Sequence, residues 1–148
     1  SGFPYAPPMS KTSVTDHLAK VPLFTACSKK ELGMIAKATT ELSFQDGAEL
    51  MKQDQSAREA FVLTEGTVVV KRNGRKVAEL GPGAFLGELG LLDKGPRTAT
   101  VIAQGPVEAL VLGPREFAGL LDEVPSISHK LLKALAARIR ELDAKAYG

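Results

Sequence analysis

Apolar positions recur with a helical period at both ends of the chain and with a period of two between them. Near the start, Val14, Leu18 and Val21 fall on one face, which predicts a short helix over residues 14–21. Pro22 ends it, because a proline has no N–H with which to continue the ladder. Ser28-Lys29-Lys30-Glu31 has the form of a capping box, and Leu32, Ile35 and Ala36 follow at helical spacing. Leu23 and Phe24, between these helices, are expected core anchors. From Thr39 the period shortens. Leu42 and Phe44 alternate with polar residues, Asp46-Gly47 marks a turn, and Leu50-Met51 suggests a short strand before a polar loop over residues 53–59. Further strands are expected over residues 61–64 and 67–72, separated around Gly66, and over residues 77–80. Two more, over residues 98–103 and 107–112, are separated by Gln104-Gly105-Pro106. Short strands punctuated by turns predict an antiparallel sandwich or barrel.

Asn73-Gly74 is a hairpin signal, since both residues tolerate the left-handed backbone of a two-residue loop. Such a loop pairs Arg72 with Arg75, Lys71 with Lys76 and Val70 with Val77. The two valines then meet on one face, and the like-charged tip stays in water.

The helical period returns at the end. Pro114 suits the first position of a helix running to Asp122, and Pro125 opens a last helix in the same way. On that helix Leu132, Leu135, Ile139 and Leu142 form a stripe, with Leu131 adjacent. The stripe either packs on the barrel or forms a seam with a homodimer mate or a partner protein. The expected fold is mainly β with flanking helices: an antiparallel β-roll or jelly-roll barrel between N-terminal and C-terminal helices. Residues 1–10, aperiodic and containing Pro4, Pro7 and Pro8, are set apart as a flexible segment or an expression scar ahead of Met9. Phe3 and Tyr5 could dock there on a neighbour. Residues 11–148 are left as one domain.

Composition narrows the classes. At 148 residues, 44% hydrophobic and 24% charged, the chain has enough apolar material for one soluble core. A formal charge of +2 without a long basic run gives no case for nucleic acid. The single cysteine, Cys27, excludes an internal disulfide and a thiolate zinc cluster, and fits a reducing cytoplasm. No apolar run approaches the roughly 18–20 residues of a membrane span. His17 and His129 are far apart, and no nucleophile–base pattern or metal cluster accompanies them. The chain is not expected to be an enzyme or to hold a catalytic cofactor.

The candidate chemistry lies in residues 87–101, Gly-Glu-Leu-Gly-Leu-Leu-Asp-Lys-Gly-Pro-Arg-Thr-Ala-Thr-Val. Residues 89–93 can make one helical turn, whose first amides are donors for an anion. Gly87 and Gly90 remove side chains that would hold a phosphate off the backbone, and Arg97 offers a planar fork for two phosphate oxygens. Glu88 would repel a phosphate, so it belongs with hydroxyls, such as those of a ribose. The alternative is a plain Glu88–Arg97 salt bridge across the turn. A dinucleotide fingerprint is a poor match, because Gly81-Pro82-Gly83 followed by Gly87 misses its spacing, and no lysine stands where a P-loop needs one.

Gly87-Glu88-Leu89-Gly90-Leu91-Leu92 followed by Pro96-Arg97-Thr98-Ala99-Thr100-Val101 resembles the phosphate-binding cassette of the cyclic nucleotide-binding domain family. The resemblance extends over residues 14–142 and takes in Gly66 and the Gly81-Pro82-Gly83-Ala84-Phe85 approach. It implies that the ligand is cAMP, with cGMP possible. It further implies that Glu88 accepts the ribose 2′-hydroxyl, that Arg97 pairs with the cyclic phosphate, and that the amides near Leu89, Gly90 and Ala99 complete the cradle. Val70 and Val77 match positions that line the base pocket. Thr98 matches a position whose hydroxyl reaches base or phosphate, which leaves the base undecided. The last helix, over residues 131–138, corresponds to the family's lid. No helix-turn-helix follows it before Gly148, so this chain is not itself expected to contact DNA. The competing reading is an interaction module of the same fold without a ligand; the intact Glu88 and Arg97 argue against it.

Overall fold

The computed structural model describes residues 9–147. The expectation for the segment before Met9 lies outside the described residues. Ser10 belongs to the first helix: it caps α1 (Lys11–Ala19), its side chain accepting from the Ser13 amide at 3.1 Å. A 3-10 turn at Pro22–Phe24 buries Phe24 completely, while Leu23 is only partly covered. Helix α2 (Lys29–Ala38) opens on the expected capping box. The Glu31 amide donates to Ser28 Oγ at 3.1 Å, and the Ser28 amide donates to the Glu31 carboxylate at 2.8 Å.

Six strands follow: β1 (Thr39–Phe44), β2 (Glu49–Met51), β3 (Ala60–Arg72), β4 (Arg75–Leu80), β5 (Phe85–Leu86) and β6 (Thr100–Leu112). All pairings are antiparallel, in the order β1-β6-β3-β4, with β2 also on β6 and β5 also on β3. Strands β3 and β6 are the spine. The sequence divides each into two pieces, at Gly66 and at Gln104-Gly105-Pro106, yet each runs on as a single bent strand. The glycine marks a bend here and not an end. A Cβ on Gly66 (φ +89) would stand 2.2 Å from the Pro106 carbonyl oxygen, so the strands cross there at a distance only glycine allows. Past the bend each strand changes partners: β3 leaves β5 for β4, and β6 takes β2 before the bend and β1 after it.

The period of two sorts side chains into two cores. Ala60, Val62, Leu110 and Leu112 face the helices, packing with Val14, Leu18, Phe24, Leu32, Ile35, Phe117, Ile127 and Leu131. Phe61, Leu63, Val68, Val101, Ala103, Val107 and Ala109 face inward and fill the roll. The architecture is the antiparallel roll with flanking helices that the pattern predicts.

One expectation is corrected and one pair of alternatives is narrowed. In the hairpin, Arg72 opposes Arg75 and Lys71 opposes Lys76, but Val70 opposes Ala78, not Val77. A bulge inserts Val77 without a partner and shifts the register by one, which leaves its side chain 53% exposed. The second concerns the C-terminal helices, α4 (Pro114–Glu123) and α5 (Pro125–Tyr147). Ile127 and Leu131 bury α5's first turns, while Leu132, Ile139 and Leu142 stay 66%, 60% and 58% exposed. Of the stripe only Leu135 is half-buried; the other three residues do not pack on the barrel.

Candidate functional site

Residues 87–99 leave β5 and return to β6, crossing from the helix core to the edge of the roll. The expected turn forms as α3 (Leu89–Leu92), with Leu91 buried under the helices. Between this turn and the returning strand lies a cleft of about 310 Å³. Gly87, Glu88, Gly90, Arg97 and Thr98 line it, joined by Met51, Ala57, Asp93, Gly95 and Pro96. Its size and mixed lining suit a small molecule.

Arg97 is the centre of the site. The residue is 5% exposed, an unusual position for a guanidinium. Nη2 donates to the Glu59 main-chain oxygen at 2.7 Å, and the Glu59 carboxylate stands 3.7 Å away. Nε and Nη1 are buried and have no hydrogen-bond partner. Burial lowers the arginine's pKa from its ordinary value, and Glu59 acts to raise it. A buried cation with two unused N–H groups costs about 1–3 kcal/mol or more, which an anion in the cleft would offset. The Phe61 ring of the roll core has its centroid 6.0 Å from the guanidinium carbon, within cation–π range.

The Glu88–Arg97 salt bridge is not the arrangement found, since the arginine's ion pair is with Glu59. Glu88 is half-buried on the cleft wall, free to face another group there. Gly87 makes room for the arginine more than for a ligand: a Cβ there would lie 2.6 Å from Arg97 Nη1. Gly90 is close to Arg58, whose main chain would stand 3.0 Å from an added Cβ and whose Nε donates to the Gly90 oxygen at 2.8 Å. The Gly90 amide, expected as a cradle donor, instead donates to the Gly87 oxygen at 3.1 Å to close the turn.

Thr98 is exposed on the cleft, and its carbonyl accepts from Arg72 Nε at 3.2 Å. Ala99 is buried behind the cleft wall. Val70 packs at the edge of the roll core; neither it nor Val77 lines the cleft. Of the lid segment, Leu131 is already buried in the helix core and Leu135 is half-buried. Both border a small apolar crevice with Leu91, Leu92 and Glu88.

The loop over residues 53–59 is legible in the sequence only as a polar connection, yet with Lys52 it forms the segment between β2 and β3 that holds the arginine. The Arg97 amide donates to the Gln55 oxygen and the Asp54 amide to the Arg97 oxygen, each at 2.8 Å. Nothing local marks Glu59 as the partner of a residue 38 positions away. Asp93-Lys94-Gly95 did carry a turn signal: Asp93 Oδ1 accepts from the Gly95 amide at 2.7 Å.

The family model for the cyclic nucleotide-binding domain matches residues 41–124. The cAMP-dependent protein kinase regulatory subunit of Mucor circinelloides f. lusitanicus is 34% identical over 114 residues, which is 74% of this chain and 27% of that protein. The chain thus spans about a quarter of that relative's length. Among solved structures, the N-terminal domain of a transcriptional regulator from Streptomyces coelicolor A3(2) superposes with a TM-score of 0.81 at 33% identity. That match covers 87% of this chain and 96% of that one. The regulatory domain of Toxoplasma gondii PKA, crystallised with cAMP, gives 0.70 at 26% identity over 86% of this chain and 50% of that one. With a cassette of matching residues at the cleft and a family model spanning more than half its length, the chain belongs to the cyclic nucleotide-binding domain family.

Proposed function

We propose that this domain senses a cyclic nucleotide, cAMP or alternatively cGMP, in the cleft between α3 and β6, without turning it over. The observation that carries the reading is Arg97: buried, cationic, and with Nε and Nη1 unpartnered at the cleft. The cyclic phosphate would take those two N–H groups, while Glu88 would accept the ribose 2′-hydroxyl. Leu89 and Ala99 amides would add donors behind the phosphate. Thr98, tied through its carbonyl to Arg72, suggests that the base lies on the hairpin side, with Val70 and Val77 as its apolar neighbours. The cAMP held by the similar Toxoplasma domain supports the choice of ligand.

Charge-assisted hydrogen bonds contribute about 1.5–3 kcal/mol each, so two from Arg97 would supply much of the roughly 8 kcal/mol behind micromolar binding. In calorimetry, Arg97→Ala should weaken cAMP binding at least about a hundredfold, or roughly 2.7 kcal/mol. Unchanged affinity would overturn the assignment, and a wild-type chain silent toward both cAMP and cGMP would favour an interaction module without a ligand.

A relay through α5 is supported by the apolar crevice in which Leu131 and Leu135 meet Glu88, Leu91 and Leu92. A spin label on α5 should change mobility when cAMP is added, and constant mobility would remove the relay. The likeness to the N-terminal domain of a transcriptional regulator favours work as the sensor of a regulator in the cytoplasm.

A further inference from the structure

The hairpin of β3 and β4 is fastened to the loop over residues 52–59, on which Arg97 rests, and the Gln53 side chain makes the fastening. Gln53 Nε2 donates to Asn73 Oδ1 at 2.8 Å, and the Asn73 amide donates to Gln53 Oε1 at 2.8 Å. The orientation of this pair is fixed, because a backbone N–H can only donate; Oε1 must face it, and Nε2 is left for Oδ1. The Gln53 amide in turn donates to Thr100 Oγ1 at 3.0 Å, so the residue joins the hairpin tip to the start of β6.

Immediately after Gln53 the chain turns at Asp54, with φ 71, a left-handed conformation that Asp tolerates better than most residues. That turn aims the Asp54 amide at the Arg97 oxygen, and Gln55 answers with its oxygen for the Arg97 amide, both at 2.8 Å. The same loop ends at Glu59, whose carbonyl takes Arg97 Nη2. From the other side, Arg72 Nε reaches the Thr98 oxygen at 3.2 Å. The arginine's main chain and one of its side-chain nitrogens thus rest on a loop with no buried apolar anchor between Lys52 and Glu59. Such a loop holds its shape by hydrogen bonds, and the Gln53–Asn73 pair closes its near end.

We propose that Gln53 is a positioning residue for the anion site: through its amide pair with Asn73 it holds the loop over residues 52–59 in the one arrangement that presents Arg97 to the cleft. Gln53 does not line the cleft and acts only through that loop. The ligand arm of the test rests on the cyclic-nucleotide reading; the exchange arm does not.

In the exchange arm, hydrogen exchange on the ligand-free chain is compared for wild type and Gln53→Ala. The Asp54 and Arg97 amides should exchange roughly tenfold faster in the variant, the equivalent of one typical hydrogen bond. Amides of β3 and β6 in the roll core should keep their protection. Unchanged exchange at Asp54 and Arg97 would overturn the proposal whatever the ligand, as would a loss of protection spread evenly over the sheet. In the ligand arm, cAMP affinity by calorimetry should fall roughly tenfold for Gln53→Ala. It should hold in Asn73→Asp, which keeps both the oxygen acceptor and the backbone donor. Gln53→Ala should add nothing to Arg97→Ala in a double-mutant cycle. Full additivity would show that Gln53 acts independently of the arginine and overturn the proposal. A wild-type chain that binds no cAMP would refute the parent reading and leave the exchange result to decide this one.

Discussion

A methyl group added at Gly87 would sit 2.6 Å from Arg97 Nη1 and 2.9 Å from the Glu59 carbonyl oxygen, on a backbone at φ +73. The guanidinium is the end of a flexible side chain and can swing away, but the carbonyl is main chain and has little room to move. Gly87→Ala should therefore destabilise the fold by roughly 1–3 kcal/mol, a strained-backbone cost, and displace the arginine as well. A urea midpoint and a cAMP titration would both register the change; if neither moved, the packing of glycine against arginine would not matter. The sequence marked Gly87 as a place for close approach, but the group that approaches is the chain's own Arg97. Glu88 and Arg97 were both legible as chemistry. Their relation was not, because Glu59 and the unpaired Nε and Nη1 become visible only when residues 38 positions apart meet.

At the scale of elements, the capping box of α2 reaches farther than its own helix. Glu31 caps Ser28 and also accepts from Ser126 Oγ and Lys130 Nζ, so it ties the root of α5 to α2. The Lys130 and Ser126 hydrogen bonds, with the Ser28 amide, hold the Glu31 carboxyl down at about 2 against an ordinary 4.5. A carboxylate lowered in the folded state contributes stability that is complete above 4.5 and is lost as pH falls from there toward 2. Glu108 acts in the opposite sense: burial, then the neighbouring Glu65, raise its carboxyl, so protonating it favours the fold. The test is therefore a difference between variants. Glu31→Gln should be less stable than wild type near neutral pH, and the gap should close between 4.5 and 2. Chemical denaturation at a series of pH values would show this, and parallel curves would contradict it. The capping box itself could be read from four consecutive residues. Its second use could not, since Ser126 and Lys130 lie 95 and 99 positions away.

At the scale of the whole molecule, α5 is covered at one end only. Its first turns belong to the helix core, and its outer turns carry Leu132, Ile139 and Leu142 into solvent. No helix among the described residues is long and apolar enough to cross a membrane. A 23-residue helix extends about 35 Å at 1.5 Å per residue, enough to present several turns to a second copy. If that stripe is a homodimer seam, light scattering should give twice the 15.7 kDa chain mass. Replacing Leu132, Ile139 and Leu142 together with Ser should return it to a monomer. A wild-type monomer with and without cAMP would reject the seam.

The sequence by itself determined what depends on near neighbours. The helix starts at Ser28, Pro114 and Pro125, the Asn73-Gly74 turn, the alternation that divides Phe61 and Leu63 from Ala60 and Val62, and the spacing of Glu88 and Arg97 all follow from a few adjacent residues. Tertiary structure alone decided the rest. It kept β3 and β6 whole through their bends, because pairing with another strand continues past a local breaker. It slipped Val77 out of register, left Leu132, Ile139 and Leu142 of α5 uncovered, and set a remote polar loop beneath Arg97. Each of these turns on which distant group a residue meets, and periodicity along the chain holds no record of that.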